Sequence, residues 1–369
     1  MSLRRRGLRA LVLGGLAALM AVAFGAASAW AEPSTYCVKA TKVLTPKKHF
    51  TGGFNDKGCT SVNATHEGKF EKLASFTAPE EAQLKALLKY MTVQAKGIGG
   101  QPTVKLTGAN LQVASGPKED ETNGTGNVVI GANERPEAQT GSNNLVLGEA
   151  QEFTSYGGIV AGFNNHITAQ FASVTGGIGN IASGDRSSVS GGEGNTASGV
   201  FASVTGGNGN IASGTLASIA GGIGNEASGI QASVNGGKEN IAKGPFASVS
   251  GGLGNKSEAE ASSVGGGFEN TANKRGASVS GGQKNTASGE LSSISGGEKN
   301  LAGSAVSSIS GGGENTILVG DLPFGGYASW IGGGFENKIA SKGLGEVAEF
   351  AAIFGGKNNE TGKFYEAIP

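Results

Sequence analysis

Three glutamates are the leading candidates for acid–base chemistry in this sequence of 369 residues. Glu239, Glu269 and Glu314 share one position of a fifteen-residue repeat and lie two and three repeats apart. At about 4.8 Å per repeat their carboxylates would stand roughly 10 and 14 Å from one another. Glycoside hydrolysis needs a pair about 5 to 9.5 Å apart. The spacing disfavours a solenoid hydrolase, and we predict no enzymatic activity.

Glycine-rich stretches of the sequence produce no nucleotide-binding or calcium-binding motif. The nearest approach to a phosphate-binding loop, GGLGNKS, has Asn255 where glycine is required. Calcium-binding nonapeptide repeats need an aspartate in each unit, but only Asp185 and Asp321 occur after residue 126. No cofactor is therefore expected.

The first 31 residues predict a secretory signal peptide. Four arginines among the first ten residues precede an apolar run, which ends in the A-x-A cleavage pattern Ala29-Trp30-Ala31. A membrane anchor is the alternative. Cleavage would remove those four arginines, leave no membrane span, and leave 25 basic against 29 acidic residues. The mature chain has no basic stripe for nucleic acid, and we expect it outside the cell or at the cell surface.

The two cysteines of the chain, Cys37 and Cys59, follow shortly after this segment. An exported chain meets an oxidising environment in which a nearby pair usually closes, so we predict a disulfide, with free thiols as the alternative. A metal site is disfavoured because His49 and His66 form no recognisable ligand spacing with the cysteines.

Residues 32–125 form a small N-terminal α+β module in this interpretation. The stretch TAPEEAQLKALLKYMTVQAKG, residues 77–97, predicts a helix, because Thr77 can cap it and Pro79 suits its first turn. Leucines and Met91 form an apolar stripe that either packs within the module or makes a short coiled-coil segment. The next stretch, PTVKLTGANLQV, alternates as a strand does.

Residues 126–369 follow a different rule, because asparagine recurs every fifteen residues behind a Gly-Gly pair and a Ser-Val or Ser-Ile pair. With degenerate copies at both ends we count fifteen copies. A turn of positive φ suits glycine and asparagine, and stacked amides can form a ladder, so we interpret the asparagines as structural. The regular ladder is Asn180, Asn195, Asn210, Asn225, Asn240, Asn255, Asn270, Asn285, Asn300 and Asn315.

Fifteen residues suit one flattened coil of two short strands and two tight turns, and stacked coils make a parallel β-solenoid. The sequence therefore predicts an all-β repeat domain of about fifteen coils, on the order of 70 Å long. Because strand residues alternate sides, Ala172, Val174 and Gly176 would point inward. Ser173 and Thr175 would point outward.

The position that starts each copy varies too much for a sealed core, and it mixes aromatic, aliphatic and polar residues such as Arg186 and Gln231. Such a column suits an exposed edge or a subunit contact. The candidate interface residues are Phe171, Phe201, Leu216, Phe246, Leu291 and Val306.

These repeats resemble the head repeats of trimeric autotransporter adhesins, the YadA type, most closely at NVVIG (127–131) and NLVLG (144–148). The resemblance implies a left-handed parallel β-roll, a homotrimer, and attachment to extracellular matrix, cell-surface or polysaccharide ligands. The later copies place glycine where the family has isoleucine, and the period is fifteen rather than fourteen. The family's C-terminal membrane anchor is not expected, since the chain stops soon after the last copy.

We therefore expect a secreted or cell-surface adhesin-like protein. An ice-binding solenoid is one alternative, because outward Ser and Thr would form a regular hydroxyl face. The columns are interrupted at Ala220, Asn235 and Gly265, which disfavours it. A structural spacer without a ligand is the other alternative.

Overall fold

Two units make up the chain in the computed structural model, Met1–Leu111 and Gln112–Pro369, and each is described by itself. The predicted boundary after residue 125 lies inside the second unit. The predicted signal peptide and Cys59, and with Cys59 the predicted disulfide, lie outside the residues that the structure describes. Those residues are 34–39, 70–76, 78–116, 122–132, 135–318, 327–340 and 348–369.

The described part of the first unit contains one helix and two antiparallel strand pairs. Strand Ser34–Lys39 pairs with Phe70–Phe76, and Met91–Gln94 pairs with Thr103–Leu106. The helix, Ala78–Leu88, follows the first pair, and a short 3-10 turn, Ile98–Gly100, lies between the strands of the second. None of the helices in the described ranges is long and apolar enough to cross a bilayer.

The helix is shorter than predicted, and the coiled-coil segment is wrong. It ends at Leu88, and Met91 belongs to the following strand. The β-branched pair Thr92 and Val93 favours the strand, in which Val93 lies opposite Val104. The apolar stripe is therefore divided between two elements and cannot form a heptad seam.

The second unit is a parallel β-solenoid of about fifteen coils, as predicted. One of its two ladders, here called the serine sheet, has sixteen strands, and each strand pairs in register with the same position of the next coil, as Ser173 does with Ser188. The strands are Val128–Ile130, Leu145–Glu149, Ile159–Phe163, Ser173–Val174, Ser188–Val189, Ser203–Val204, Ser218–Ile219, Ser233–Val234, Ser248–Val249, Ser263–Val264, Ser278–Val279, Ser293–Ile294, Ser308–Ile309, Trp330–Ile331, Ala352–Ile353 and Ala367–Ile368.

The second ladder, here called the alanine sheet, has fourteen strands and the same parallel register, in which Ala182 lies opposite Ala197. Its strands are Glu152–Phe153, His166–Ile167, Ile181–Ala182, Thr196–Ala197, Ile211–Ala212, Glu226–Ala227, Ile241–Ala242, Lys256–Ser257, Thr271–Ala272, Thr286–Ala287, Leu301–Ala302, Thr316–Ile317, Lys338–Ile339 and Glu360–Thr361.

A third ladder, which the sequence did not predict, consists of single-residue bridges between successive coils from Phe163 to Lys357. From Ile178 onward, each bridge residue lies between the Gly-Gly pair and the asparagine. The coil therefore has two strands and one further extended residue, where two strands and two turns were expected.

The interior of each coil is narrow and filled by small side chains. Ala172, Val174 and Ala182 are fully buried, while Ser173 is half-buried and Thr175 is exposed, as strand alternation predicts. Gly176 is only half-buried, because the chain turns away from the serine sheet there. One Val or Ile with two or three alanines or serines per layer fills this space at the density of a protein interior.

Candidate functional site

The asparagine ladder lies inside the solenoid, and its side chains are at most 1% exposed from Asn180 to Asn315. Asn195 is representative. Its Nδ2 donates to the carbonyl oxygens of Gly191, at 3.0 Å, and Gly207, at 2.9 Å. Its Oδ1 accepts from the backbone N–H of Asn210, at 3.0 Å. The amides thus bridge neighbouring coils mainly through the main chain rather than by bonding one another.

This geometry gives the ladder a structural role. Both amide hydrogens and the amide oxygen of Asn195 already have main-chain partners, so the side chain has no donor left for a ligand. An aspartate would lack the two donors. A glutamine takes the same place once, at Gln151, whose Oε1 accepts from Asn165 at 3.0 Å.

The three glutamates considered for catalysis are surface residues in ion pairs. Glu239 lies 3.3 Å from Lys238, Glu269 lies 3.6 Å from Lys284, and Glu314 lies 3.2 Å from Lys299. Each glutamate side chain is between 42% and 63% exposed. Exposed pairs of this kind contribute little to stability.

Within the described ranges, no three His, Cys, Asp or Glu side chains lie close enough to hold a metal ion. His166 is half-buried in the alanine sheet. Its Nδ1 lies 3.1 Å from Glu152 Oε2, and Arg135 pairs with the other oxygen of the same carboxylate at 2.8 Å.

The candidate interface residues lie at one corner of the coil, just before the serine sheet, and we call the whole set the corner column. Its non-glycine members have φ between 53° and 61°, the left-handed region that bulky side chains rarely adopt. Each backbone N–H donates to the preceding coil, as Phe201 does to Asp185 at 2.8 Å. The members are Phe171, Arg186, Phe201, Leu216, Gln231, Phe246, Ala261, Gly276, Leu291, Val306, Ala328, Phe350 and Tyr365.

A second left-handed corner, just before the asparagine ladder, provides an internal comparison, and we call it the turn column. Its φ values, 53° to 68°, match those of the corner column, but its residues are glycine, glutamate, lysine and asparagine. The backbone therefore does not explain the large apolar residues of the corner column. The members of the turn column are Gly179, Gly194, Gly209, Gly224, Glu239, Gly254, Glu269, Lys284, Lys299, Glu314, Glu336 and Asn358.

Corner-column side chains stack along the solenoid and remain open to solvent. The guanidinium of Arg186 lies over the rings of Phe171, at 5.5 Å, and Phe201, at 5.4 Å. Phe171 meets Tyr156 edge to face at 5.4 Å. Phe201 is 48% exposed and Phe246 56% exposed, so stacking within one chain leaves about half of these side chains uncovered.

No protein-family model matches the chain, and no curated protein is similar to it. Its surfaces therefore have to be interpreted from their own chemistry.

One aromatic pair on the serine sheet was missed from the sequence. Trp330 stands where earlier coils have serine, and it meets Phe354 of the next coil edge to face, with ring centroids 5.5 Å apart. The signal was the interruption of the serine column at Trp330 and Ala352. It was present, but the degenerate terminal copies were used only to count coils.

Proposed function

We propose that this protein is a non-enzymatic, adhesin-like solenoid, exported to the cell surface or beyond, which assembles as a homotrimer and binds a macromolecular ligand. The resemblance to the YadA-type head repeats suggests the trimer and a left-handed coil. The corner column is the observation that carries the proposal.

The corner column is costly in a single chain. A non-glycine residue in the left-handed region costs roughly 1–2 kcal/mol, and Gly276 shows that glycine fits the same corner at φ 65°. Large apolar residues nevertheless occupy this corner, and their side chains are about half exposed. This combination favours a contact with another molecule. An exposed apolar stripe of this length is typical of interaction surfaces.

A second copy of the chain fits this stripe best. The corner column advances by about 4.8 Å per coil, and a parallel copy has the same advance, so a contact made at one coil recurs at the next. A partner of any other period would lose register within a few coils. Closed assemblies of identical chains use such repeated contacts.

Hydrodynamic mass tests the proposal. We expect wild-type protein to sediment as a trimer and a double variant, Phe201→Asp with Phe246→Asp, to sediment as a monomer, because a charge at each position would have to be desolvated in the contact. The matched control is Ile178→Asp with Ile223→Asp, two residues of the third ladder that are each 52% exposed. A monomeric wild type, or a double variant that stays trimeric, would contradict the proposal.

Ice binding is the second candidate, since the outer positions of the serine sheet, such as Thr175 and Ser190, are exposed hydroxyls. A thermal-hysteresis measurement separates the two functions. We expect none, because Ala220, Asn235 and Gly265 interrupt the hydroxyl column.

A further inference from the structure

We infer that Trp330 and Phe354 form a binding site for a neutral glycan on the outer face of the serine sheet. The inference rests on the proposed binding function, but it names a ligand class and places it on a different surface from the corner column. Three features of the pair support it: a fixed indole, an uncovered phenyl ring, and neutral hydroxyl-bearing surroundings.

The indole is held at two points. Its Nε1–H donates to Ser310 Oγ of the preceding coil at 3.0 Å. Its six-membered ring lies over Gly332, where an added Cβ would come within 2.8 Å of Trp330 Cη2. Most earlier coils have Ser or Thr at the position of Gly332. An added Cβ here would also come within 2.5 Å of Phe354 O, so glycine leaves room for that carbonyl as well as for the indole. A ring fixed before binding loses little conformational freedom when a ligand arrives.

Phe354 supplies the uncovered surface. Its side chain is 59% exposed, and its ring stands at 86° to the indole. Two rings at right angles present two apolar surfaces that meet at an angle. Aromatic faces carry the negative part of the ring quadrupole and attract weakly positive C–H groups. The C–H face of a pyranose ring has that character.

The described outward positions of the serine sheet favour an uncharged ligand. From Ser173 to Ser310 the outward positions of the serine sheet carry Ser, Thr, Ala, Asn or Gly and no charged side chain. Ser308 and Ser310 lie next to the aromatic pair, and Ser308 Oγ accepts from Ser293 Oγ at 3.2 Å. Hydroxyls that both donate and accept suit the hydroxyls of a sugar. Among the described outward positions of this sheet, a phosphate or an acidic peptide would find no cation.

Intrinsic fluorescence offers a direct test, because the sequence contains only two tryptophans, Trp30 and Trp330. A Trp30→Phe background makes Trp330 the only reporter, whether or not the leader is retained. The probes are the β-1,4-linked hexamers of glucose and of N-acetylglucosamine and the α-1,4-linked hexamer of glucose. We expect at least one of them to change the emission of Trp330 in a saturable way.

The variants locate the site. Phe354→Ala removes an exposed ring and should weaken binding by about tenfold, while Phe163→Ala, a 50% exposed ring of the third ladder, should leave the affinity unchanged. Ser310→Ala tests a positioning residue: it should weaken binding and shift the emission of the unliganded protein. Circular dichroism checks that each variant is folded.

Failure of this inference is separable from failure of the proposed function. If none of the three hexamers changes the emission at millimolar concentration, or if Phe354→Ala binds as tightly as its parent, the glycan site is wrong whatever the hydrodynamic mass. Phe354→Ala should keep the wild-type mass, so a monomeric wild type that still binds glycan would overturn only the trimer.

Discussion

Removing one amide from the asparagine ladder should weaken the solenoid locally and strongly. Asn240 is fully buried, and its Nδ2 donates to Gly236 O and Gly252 O, each at 2.9 Å. Its Oδ1 accepts from the backbone N–H of Asn255, also at 2.9 Å. Asn240→Ala removes all three hydrogen bonds at once.

Two main-chain groups would then lose a partner. The buried N–H of Asn255 has no other acceptor, and the half-buried carbonyl of Gly236 loses its amide donor, whereas Gly252 O keeps a bond from Lys238 N at 2.9 Å. An unsatisfied buried polar group costs about 1–3 kcal/mol, and the half-buried carbonyl should cost less, so we expect a loss of about 2–5 kcal/mol in the free energy of unfolding.

Denaturant unfolding measures this loss, and hydrogen exchange shows where it falls. The backbone amide of Asn255, which has lost its acceptor, should exchange at least about tenfold faster than in the wild type. The effect should stay local, because each coil contacts mainly its neighbours. Asn235→Ala is the matched control, because it makes the same chemical change at an exposed position of the same coil. Its free energy of unfolding should stay within about 0.5 kcal/mol of the wild-type value. A loss below 1 kcal/mol for Asn240→Ala, or equal losses in the two variants, would refute the account of the ladder.

Two further predictions concern a glycine and a lysine. Gly229→Ala should weaken local stacking and lower the melting temperature, since its Cβ would lie 2.0 Å from Gly244 O. Gly236→Ala, with no atom within 4 Å of its Cβ, should leave the melting temperature nearly unchanged. Equal melting temperatures for the two variants would contradict the packing argument. The ammonium group of Lys299 donates hydrogen bonds to Glu314 and Glu298, and these bonds, together with the two negative charges, raise the pKa of Lys299 above its ordinary value of 10.5. Stability from Lys299 is therefore complete below pH 10.5 and is lost as pH rises through the raised pKa, so a Lys299→Gln variant should show a flatter alkaline stability profile; identical profiles would show that the pairs contribute nothing.

The period of fifteen was sufficient to predict the parallel stack. Residues that are fifteen positions apart, such as Ser173 and Ser188, lie side by side when coils of fifteen residues stack in register. It did not predict the third ladder, since its positions accept Ile178, Glu193 and Asn208 alike and show no hydrophobic pattern. Variability did mark the corner column as a candidate surface. Its left-handed backbone was not predictable, because phenylalanine and leucine are residues that propensity places elsewhere.

The helix of the first unit shows the opposite failure. A helical period is formed by Leu84, Leu87, Leu88 and Met91. Met91 nevertheless belongs to the strand that pairs with Thr103–Leu106. Tertiary pairing overrode a short local pattern there. In the Ser-Val and Ser-Ile strands of the repeats, local preference and long-range pairing agree, which is why that part of the prediction succeeded.

The ladders continue in register across coils of unequal length. Ser308 pairs with Trp330, and Thr316 with Lys338, although each pair is separated by twenty-two residues where earlier pairs are separated by fifteen. Seven additional residues therefore enter the chain without disturbing the strands on either side. This makes the insertion point after the strand Thr316–Ile317 a natural site for grafting foreign peptides, with the stacked coils serving as a display scaffold whose inserted sequence can change while its core stays the same.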